Sequence, residues 1–194
     1  MTIEVRKCSI TIEPDSFFSW GKFVEKCPPK TPHDQWEDKI WKQRAHIHDG
    51  FVVIPSISMK MALIEAARYD GRTVPGAGKK TYTKFFERAV MVLDRYASTG
   101  MGEEALKKEA LMVPSDGRKG GTTRVMRCFP ILEDKPNWSA TFNFLVTDNR
   151  ITEDIMAEFC TIAGLFIGLG RWRPEKGGAN GRFHLSNLEM VKQT

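Results

Sequence analysis

The sequence predicts an α+β fold with antiparallel strand pairing, because strand-like and helix-like segments are mixed along the chain. Residues 138–147 alternate apolar and polar side chains, which is typical of a strand with one buried face. Residues 151–167 place apolar side chains along one helix face, and Thr152 precedes two acidic residues as a helix N-cap does. Residues 2–12 also alternate, with a phase change near Lys7 that predicts a bulge. Together these segments predict a sheet that is covered by helix.

Length and composition set the broad class of protein. With 194 residues and 41% apolar content, the chain can bury one sizeable core, and we expect a single domain over residues 1–194. No apolar run resembles a signal peptide or a membrane helix, so we expect a soluble, cytoplasmic protein without a membrane partner. The cysteines are far apart and form no C-x-x-C pair, which predicts reduced thiols in the core. They are Cys8, Cys27, Cys128 and Cys160.

The first half of the chain contains an irregular region and a strand followed by a helix. Residues 13–50 are rich in proline and contain one short helical segment, which Asp34 is expected to cap. We interpret this region as an insertion on the core. A strand over residues 51–54 then leads to a helix that Ser58 is expected to cap and that runs to Tyr69.

The middle of the chain predicts a basic hairpin. Residues 84–94 (KFFERAVMVLD) fit a helix or a strand equally well. Strands are predicted at 110–113 and 124–132, and the turn-rich basic segment 114–123 between them resembles a hairpin tip. Pro130 favours an edge position or a bulge for the second of these strands, because proline has no amide hydrogen to donate.

The stretch from Gly164 to Arg182 combines glycine with arginine and predicts an anion-binding loop. It follows the predicted helix, which glycines 164, 168 and 170 are expected to end, and precedes a last strand that starts at Arg182. Glycine allows main-chain amides to approach an anion, arginine binds phosphate through two parallel donors, and Trp172 can stack on a base. The alternative is a flexible connection with solvated arginines. The candidate residues here are Arg171, Trp172, Arg173, Lys176, Arg182, Gly168, Gly170, Gly177, Gly178 and Gly181.

A second set of basic residues belongs to the predicted hairpin. Lysines and arginines at its tip and on its second strand could follow a phosphate backbone, and three lysines further upstream could extend that track. The alternative is a solvated surface loop. The hairpin candidates are Arg118, Lys119, Arg124 and Arg127, and the upstream lysines are Lys79, Lys80 and Lys84.

Two nucleotide-binding motifs are excluded. The Walker A pattern fails because Gly78 and Lys79 are followed by Lys80, and Thr73 replaces the first glycine. The dinucleotide pattern fails because Arg173 occupies the position of its last glycine and the turn follows a helix where the motif follows a strand. We therefore expect no nucleotide cofactor, and no other cofactor is predicted.

The histidines give little support to catalysis or metal binding. His46 and His48 stand beside Asp49, but no third ligand with recognisable spacing accompanies them, so ordinary loop histidines are the favoured interpretation. His184 follows the Gly/Arg stretch, and a role in binding stays open. No G-x-S-x-G elbow and no cysteine next to a histidine occurs, so we expect no enzyme.

The order of these segments resembles the RAMP superfamily of CRISPR-associated proteins. The similarity covers roughly residues 50–190 in element order, and it is most specific at LGRWRPEKGGANGRF, which looks like the C-terminal glycine-rich loop of that superfamily. The same segment is similar to the G-x-G-x-x-R-P…G-R-F element of small phage and prophage proteins. Residues 13–50 have no counterpart in the resemblance.

The resemblance implies a ferredoxin-like or RRM-like antiparallel sheet with helices on one face. It also implies binding of single-stranded RNA, or of the RNA strand of a hybrid, mainly by its backbone, often with copies side by side along the strand. The loop glycines 168, 170, 177, 178 and 181 would shape the loop, with Arg171, Arg173 and Arg182 as phosphate ligands. The aromatic signatures of an ordinary RRM are absent, which argues against base stacking on the sheet.

Three functions remain as hypotheses. The first is a non-catalytic, phage-encoded protein that binds single-stranded RNA or DNA and assembles along it as a homo-oligomer or a ribonucleoprotein subunit. The second is a protein-interaction module, such as a RAMP mimic acting on a CRISPR complex, with Trp20, Trp36 and Trp41 as contact residues or, more simply, as core-covering aromatics. The third, a nuclease that uses a histidine, is the least supported.

Overall fold

A computed structural model describes residues 4–115, 122–135 and 138–192. Within these ranges the strands are β1 (Arg6–Pro14), β2 (Phe18–Ser19), β3 (Ile47–His48), β4 (Phe51–Pro55), β5 (Val90–Val92), β6 (Tyr96–Gly102), β7 (Lys107–Pro114), β8 (Arg124–Leu132), β9 (Ala140–Val146) and β10 (Phe183–Lys192). The α-helices are α1 (His33–Ile40), α2 (Ser56–Asp70), α3 (Tyr82–Ala89) and α4 (Glu153–Ile162).

The central sheet has the ferredoxin-like arrangement. Strands β10, β1, β9 and β5 lie side by side in that order, and every neighbouring pair is antiparallel. The core elements follow one another as β1, α2, β5, β9, α4 and β10, which is the βαββαβ order of this fold. The predicted α+β fold with an antiparallel sheet is therefore confirmed.

The hydrophobic core lies between this sheet and the helices. On β1, Cys8, Ile10 and Ile12 are fully buried, whereas Ser9 and Thr11 between them are partly exposed. Because side chains of a strand alternate between its two faces, only one face of the sheet is packed. Helices α2 and α4 contact this sheet and each other, so the helices cover that face, as expected.

The cysteines are free thiols, and three of them lie in the core. Burial raises the pKa of Cys8 and of Cys160 to about 12, so both are protonated and unreactive at neutral pH. The prediction is wrong for Cys27, which is only half-buried, because its proline-rich segment packs against the surface of the core.

Residues 15–55 separate β1 from α2 and build a second layer with the hairpin. Strand β2 pairs with β8, β8 pairs with β7, and α1 with the helical turn Trp41–Arg44 packs on β8. Strands β3, β4 and β6 form a third sheet. The region interpreted as an insertion therefore lies against the basic hairpin.

Three local predictions are corrected at helix ends. Helix α1 starts one residue before Asp34, which does not cap it but lies in its first turn, where a carboxylate faces the positive end of the helix dipole. Helix α2 starts at Ser56, two residues before the predicted cap, because it follows Pro55 directly and its N-terminus has no side-chain cap. Residues 84–94 are divided between α3 and β5, so both alternatives apply in part.

Two strand details also differ from expectation. The register shift lies between Thr11 and Ile12, not near Lys7, and the extra residue is Ser186 of β10. Pro130 lies in the middle strand of its sheet, not at an edge. It is tolerated because β2 ends opposite Ile131, so the missing amide hydrogen falls where that pairing stops.

Candidate nucleic-acid interface

The Gly/Arg loop, residues 168–182, is fixed to the first residues of the region interpreted as an insertion, around β2. The Arg171 amide donates to the Ser19 carbonyl at 2.8 Å, and the Gly181 amide donates to the Phe17 carbonyl at 2.7 Å. A third bond, from Leu169 to Gly181 at 2.9 Å, closes the loop on itself. These bonds hold the loop in one conformation, so its side chains project from fixed positions.

The loop glycines are needed for close packing of the backbone. Gly181 has a φ of +73°, and a Cβ at this position would lie 1.8 Å from the Leu169 carbonyl oxygen. Gly170 has a φ of +75°, and its Cβ would lie 2.5 Å from the Ser19 carbonyl oxygen. Four of the five predicted anion-binding glycine amides, all but that of Gly170, are already used as donors within the protein, which makes the side chains the main binding groups. These four amides belong to Gly168, Gly177, Gly178 and Gly181.

The basic side chains of the loop have different environments. Arg173 pairs with Glu175 at 2.7 Å, and Lys176 pairs with the same carboxylate. Arg182 donates from its guanidinium to the Leu165 carbonyl. Arg171, in contrast, turns away from these groups towards the hairpin.

Arg171 joins the loop to the hairpin at Phe129. The guanidinium carbon of Arg171 lies 3.4 Å from the centroid of the Phe129 ring and 4.3 Å from that of Trp172. Its nearest acid is Glu109, whose Oε2 atom is 3.8 Å from Nη1, beyond hydrogen-bond distance. Burial lowers the pKa of Arg171 to about 10, Glu109 opposes this shift, and the charge of Arg44 adds to it. The group is therefore cationic at neutral pH.

The hairpin contributes two arginines to the same surface. Arg124 is exposed and donates to the Met112 carbonyl at 3.2 Å. Arg127 lies two residues before Phe129, on the same face of β8, and is partly buried. The other two hairpin candidates, Arg118 and Lys119, lie outside the described residues.

Two cavities meet at Arg127, Phe129 and Arg171, which line both of them. The smaller cavity, about 600 Å³, is also lined by Arg124 and Trp172, so the two predicted basic segments share one concave surface. The larger cavity, about 870 Å³, extends to α1 and to residues 21–27. Arg171 of the loop and Arg124 and Arg127 of the hairpin thus line the same smaller cavity.

A buried ion pair supports the wall between α1 and the hairpin. Arg44 donates to both carboxylate oxygens of Glu37 at 2.8 Å, and the Cys128 amide donates to Glu37 Oε2 at 3.0 Å. The side chains are only 7% and 4% exposed, respectively. A pair in such a setting depends on both partners, because either one alone would be a buried, uncompensated charge.

The upstream lysines lie at another place. Lys80 and Lys84 line a separate cavity of about 390 Å³ together with Arg88 and Arg150. Lys79 is exposed in the preceding turn. This cavity has no lining residue in common with the smaller or the larger cavity. The structure therefore does not bring these lysines to the surface formed by the loop and the hairpin.

The histidines that were considered for catalysis line neither of those two cavities. His46 precedes β3, where burial lowers its pKa and the charges of Lys22 and Arg95 add to this effect. His48 is exposed beside Asp49. His184 contacts Asp15 through Nδ1 at 2.7 Å. Among residues 4–115, 122–135 and 138–192, no group of three or more acidic, cysteine or histidine side chains is placed to hold a metal ion.

The tryptophans of residues 13–50 are mostly packed inwards. Trp20 is 3% exposed and donates from Nε1 to the Val53 carbonyl, so its proposed role as a contact residue is wrong because it belongs to the core. Trp41 packs against the core and is partly buried. Trp36 is half-buried and lines the larger cavity.

Comparison with known proteins identifies the fold. No family model matches the sequence, and no curated protein sequence is significantly similar to it. The chain superposes over 97% of its length on a chain in the cryo-EM structure of the type III-B Cmr-beta bound to cognate target RNA, with a TM-score of 0.53 and 12% identity. This similarity shows that the two chains share a fold. It spans 61% of that longer chain.

Two further solved structures have lower scores. Cmr6 from Pyrococcus furiosus has a TM-score of 0.49 and 12% identity, with 95% of this chain and all of that one covered. A CRISPR RNA-guided surveillance complex contains a chain with a TM-score of 0.42 and 12% identity, with 96% of this chain and 68% of that one covered. Within the described residues of the chain, no helix is both long enough and apolar enough to cross a membrane.

The open face of the central sheet is polar over most of its area, with an apolar row of Met91, Leu145 and Val191 at one end. Thr11 and Thr141 form a hydrogen bond across β1 and β9, and Ser9 donates to Asn143 at 2.7 Å. In the parts of β1, β5, β9 and β10 that the structure describes, no phenylalanine, tyrosine or tryptophan points to this face. The sheet thus lacks the aromatic platform of an RRM, in agreement with the sequence.

Sequence analysis missed several residues that form the site. Phe129 follows Arg127 at the two-residue spacing of one strand face, and this alternation was a usable signal. Glu37 and Arg44 are seven residues apart, a separation that places two side chains on one side of a continuous helix. Phe23 gave no signal, since it lies in irregular chain, yet it lines the larger cavity and is 83% exposed.

Proposed function

We propose that the protein binds single-stranded nucleic acid, RNA in preference, by its phosphate backbone and without cleaving it. The main observation behind this proposal is that the hairpin and the Gly/Arg loop contact each other at Arg127, Phe129 and Arg171. The strand would run along the smaller cavity, with phosphates on Arg124, Arg127 and Arg171 and a base on Trp172.

Two considerations support this assignment. Arg171 is held by packing on Phe129 and Trp172, so little conformational freedom is lost when it binds a phosphate, and its guanidinium group suits the phosphate oxygens. The fold is shared with a chain of an assembly whose structure holds target RNA. RNA binding and association with a CRISPR complex are both consistent with that similarity.

Equilibrium binding tests the proposal. A fluorescent single-stranded RNA and the equivalent DNA are titrated with wild-type protein and with a variant that combines Arg124→Ala, Arg127→Ala and Arg171→Met. A second variant with Lys39→Ala, Arg68→Ala and Lys192→Ala loses the same charge, and none of its three positions lines either cavity. Thermal unfolding verifies that both variants are folded.

We expect the first variant to lose at least about tenfold in affinity, because each phosphate contact contributes to binding. The charge-matched variant should lose much less, and the RNA should stay intact on a gel with and without EDTA. Equal losses in the two variants would refute the site. Cleavage of the RNA would refute the non-catalytic role.

A second candidate function is a contact with another protein, and an exposed apolar strip favours it. Ile57 and Met61 lie one turn apart on α2 and are about half-exposed, and Tyr69 at the end of that helix stacks on Phe166 at 5.2 Å. Leu165 is exposed beside Phe166. Exposed apolar groups that share one side of a protein mark interaction surfaces.

In this second candidate the strip holds a neighbouring subunit, which is another copy or a member of a CRISPR complex that the protein joins or inhibits. Size-exclusion chromatography with light scattering, before and after nuclease treatment, tests it. Assembly that persists after nuclease and disappears with Met61→Asp would support the contact. A monomer under both conditions would refute self-association.

The phage origin that the resemblance implies stays a prediction.

A further inference from the structure

The larger cavity is bounded by several elements of the second layer and by the Gly/Arg loop. Residues 21–27, α1, β8 and the Gly/Arg loop all contribute to its walls. Its volume of about 870 Å³ lies within the range of pockets that hold a small ligand. Arg127, Phe129 and Arg171 separate it from the smaller cavity, so a ligand here would share two cations with the bound strand.

The charge of this cavity is positive. Five basic and two acidic side chains line it, and one of the acids, Glu37, is already paired with Arg44. Two of the basic residues, Lys22 and Lys26, are exposed, and Glu25 is the second acidic residue of the lining. An anion therefore suits this space better than a neutral or a cationic ligand.

Buried donors without acceptors surround the same cavity. The Arg44 side chain is only 7% exposed, and its Nε has no hydrogen-bond partner. Trp36 Nε1 and Arg127 Nε also lack a hydrogen-bond partner. Arg171 Nη1 lacks one too, but it lies 3.8 Å from Glu109 Oε2, which is equally unpartnered. Among the described residues, seven buried side-chain nitrogen and oxygen atoms lack a partner, and the donors of Arg44, Trp36 and Arg127 belong to residues that line the cavity. Unpaired buried donors are costly, and three of them around one cavity favour a ligand rich in acceptors.

Aromatic side chains complete the wall. The Phe129 ring is already in contact with two guanidinium groups, those of Arg171 at 3.4 Å and Arg44 at 5.2 Å. The Trp36 ring and the Phe23 ring also line the cavity, and Phe23 is 83% exposed. A planar base can stack on such a ring, whereas a free phosphate gains nothing from it.

We propose that the larger cavity binds one nucleotide that carries a phosphate, with the phosphate at Arg127 and Arg171 and the base against Phe23 and Trp36. The nucleotide is either the phosphorylated end of a bound strand or a free nucleoside monophosphate, since both present the same chemistry. This inference rests on the proposed function, because Arg127 and Arg171 serve both cavities.

Calorimetric titration tests the inference with defined probes. Adenosine and uridine 5′-monophosphate are compared with adenosine and with inorganic phosphate. Oligonucleotides with a 5′-phosphate, a 3′-phosphate or no terminal phosphate distinguish a strand end from a free nucleotide. The variants are Phe23→Ala and Trp36→Phe, with Lys39→Ala as the control, since Lys39 lies on the same helix as Trp36 but outside the cavity.

We expect saturable binding of the monophosphates, weaker binding of phosphate and the weakest of adenosine. Phe23→Ala should lower the affinity on the order of tenfold through lost stacking, and Lys39→Ala should not. Cys27 lines the cavity, so its alkylation should be about tenfold slower at ten times the dissociation constant of the nucleotide. Oligonucleotides without a terminal phosphate should bind wild type and Phe23→Ala equally.

The outcomes separate the two proposals. Oligonucleotides could bind with no preference for a phosphorylated end, while the monophosphates do not bind at all. That result would overturn the nucleotide site in the larger cavity and leave the proposed function intact. The nucleotide site would also be overturned if the monophosphates bind but neither Phe23→Ala nor Trp36→Phe weakens their binding, and if the nucleotide does not slow the alkylation of Cys27. Failure of every oligonucleotide and nucleotide to bind would overturn both.

Discussion

The guanidinium of Arg171 packs on the ring of Phe129, with 3.4 Å between the guanidinium carbon and the ring centroid. Arg171 belongs to the Gly/Arg loop and Phe129 to the hairpin strand β8, so this contact joins the two basic segments. A cation on an aromatic face keeps its charge while part of its water is removed. The arrangement presents a fixed cation to a phosphate at the boundary of two cavities.

The salt dependence of binding should identify the residues that contact phosphate. For single strands, the logarithm of the binding constant falls with the logarithm of salt concentration by about 0.7 for each phosphate neutralised. We expect Arg124→Gln and Arg127→Gln each to reduce this slope by about 0.7, as measured by fluorescence anisotropy at several salt concentrations. Lys39→Gln should leave the slope unchanged. An unaltered slope in the two arginine variants would remove them from the interface.

Trp172 should contribute a stacking contact. It lines the smaller cavity and is 46% exposed, and the matched control Phe51 is 47% exposed but lines neither cavity. We expect Trp172→Ala to weaken RNA binding by about 1–3 kcal/mol, and Trp172→Phe to retain most of the affinity. Phe51→Ala should bind like wild type. If Trp172→Ala and Phe51→Ala bind equally well, no base stacks at Trp172.

Two loop glycines should differ in their tolerance of alanine. Both have a left-handed backbone, with φ of +73° at Gly181 and +77° at Gly177, so backbone strain of about 1–2 kcal/mol applies to each. Only at Gly181 would the Cβ meet another atom, the Leu169 carbonyl oxygen at 1.8 Å. We expect Gly181→Ala to be clearly less stable than Gly177→Ala in urea unfolding. Similar stabilities would mean that the loop does not pack as described.

The buried pair of Glu37 and Arg44 should be essential for stability. Glu37→Gln keeps the shape but leaves Arg44 as a buried, uncompensated charge, which costs about 3–5 kcal/mol. The control Lys107→Ala removes the exposed partner of a surface pair with the partly exposed Glu133 and should cost less than about 1 kcal/mol. Urea unfolding of both variants measures the difference. A loss for Glu37→Gln no larger than the control would contradict a buried pair.

Local sequence patterns were sufficient for much of the fold. The alternation in β9 and the apolar stripe of α4 depend on neighbouring residues alone, and Thr152 accepts the Ile155 amide at 3.3 Å as its position predicted. The ferredoxin-like order followed from the resemblance. The start of α2 was predicted two residues too late. Ser58 looks like a side-chain cap, but the helix begins directly after Pro55 and has no side-chain cap.

The site was only partly predictable because it depends on contacts between residues that are far apart in the sequence. Arg171 was identified from its composition, but its partner Phe129 is 42 residues away, and no local rule joins them. Arg173 was assigned to phosphate binding with equal weight, and only the fold shows that Glu175 already engages it at 2.7 Å. Side-chain pairing across distant segments therefore decides which arginines face the cavities.

Photo-crosslinking of a single-stranded RNA, followed by mass spectrometry of the attached peptides, tests the central claim most directly. The RNA carries a photoactivatable base and is used at saturating concentration. We expect attachment within residues 122–130 of the hairpin and 168–173 of the Gly/Arg loop. Crosslinks confined to the outward face of β1 and β9, or to α2, would contradict the proposed interface.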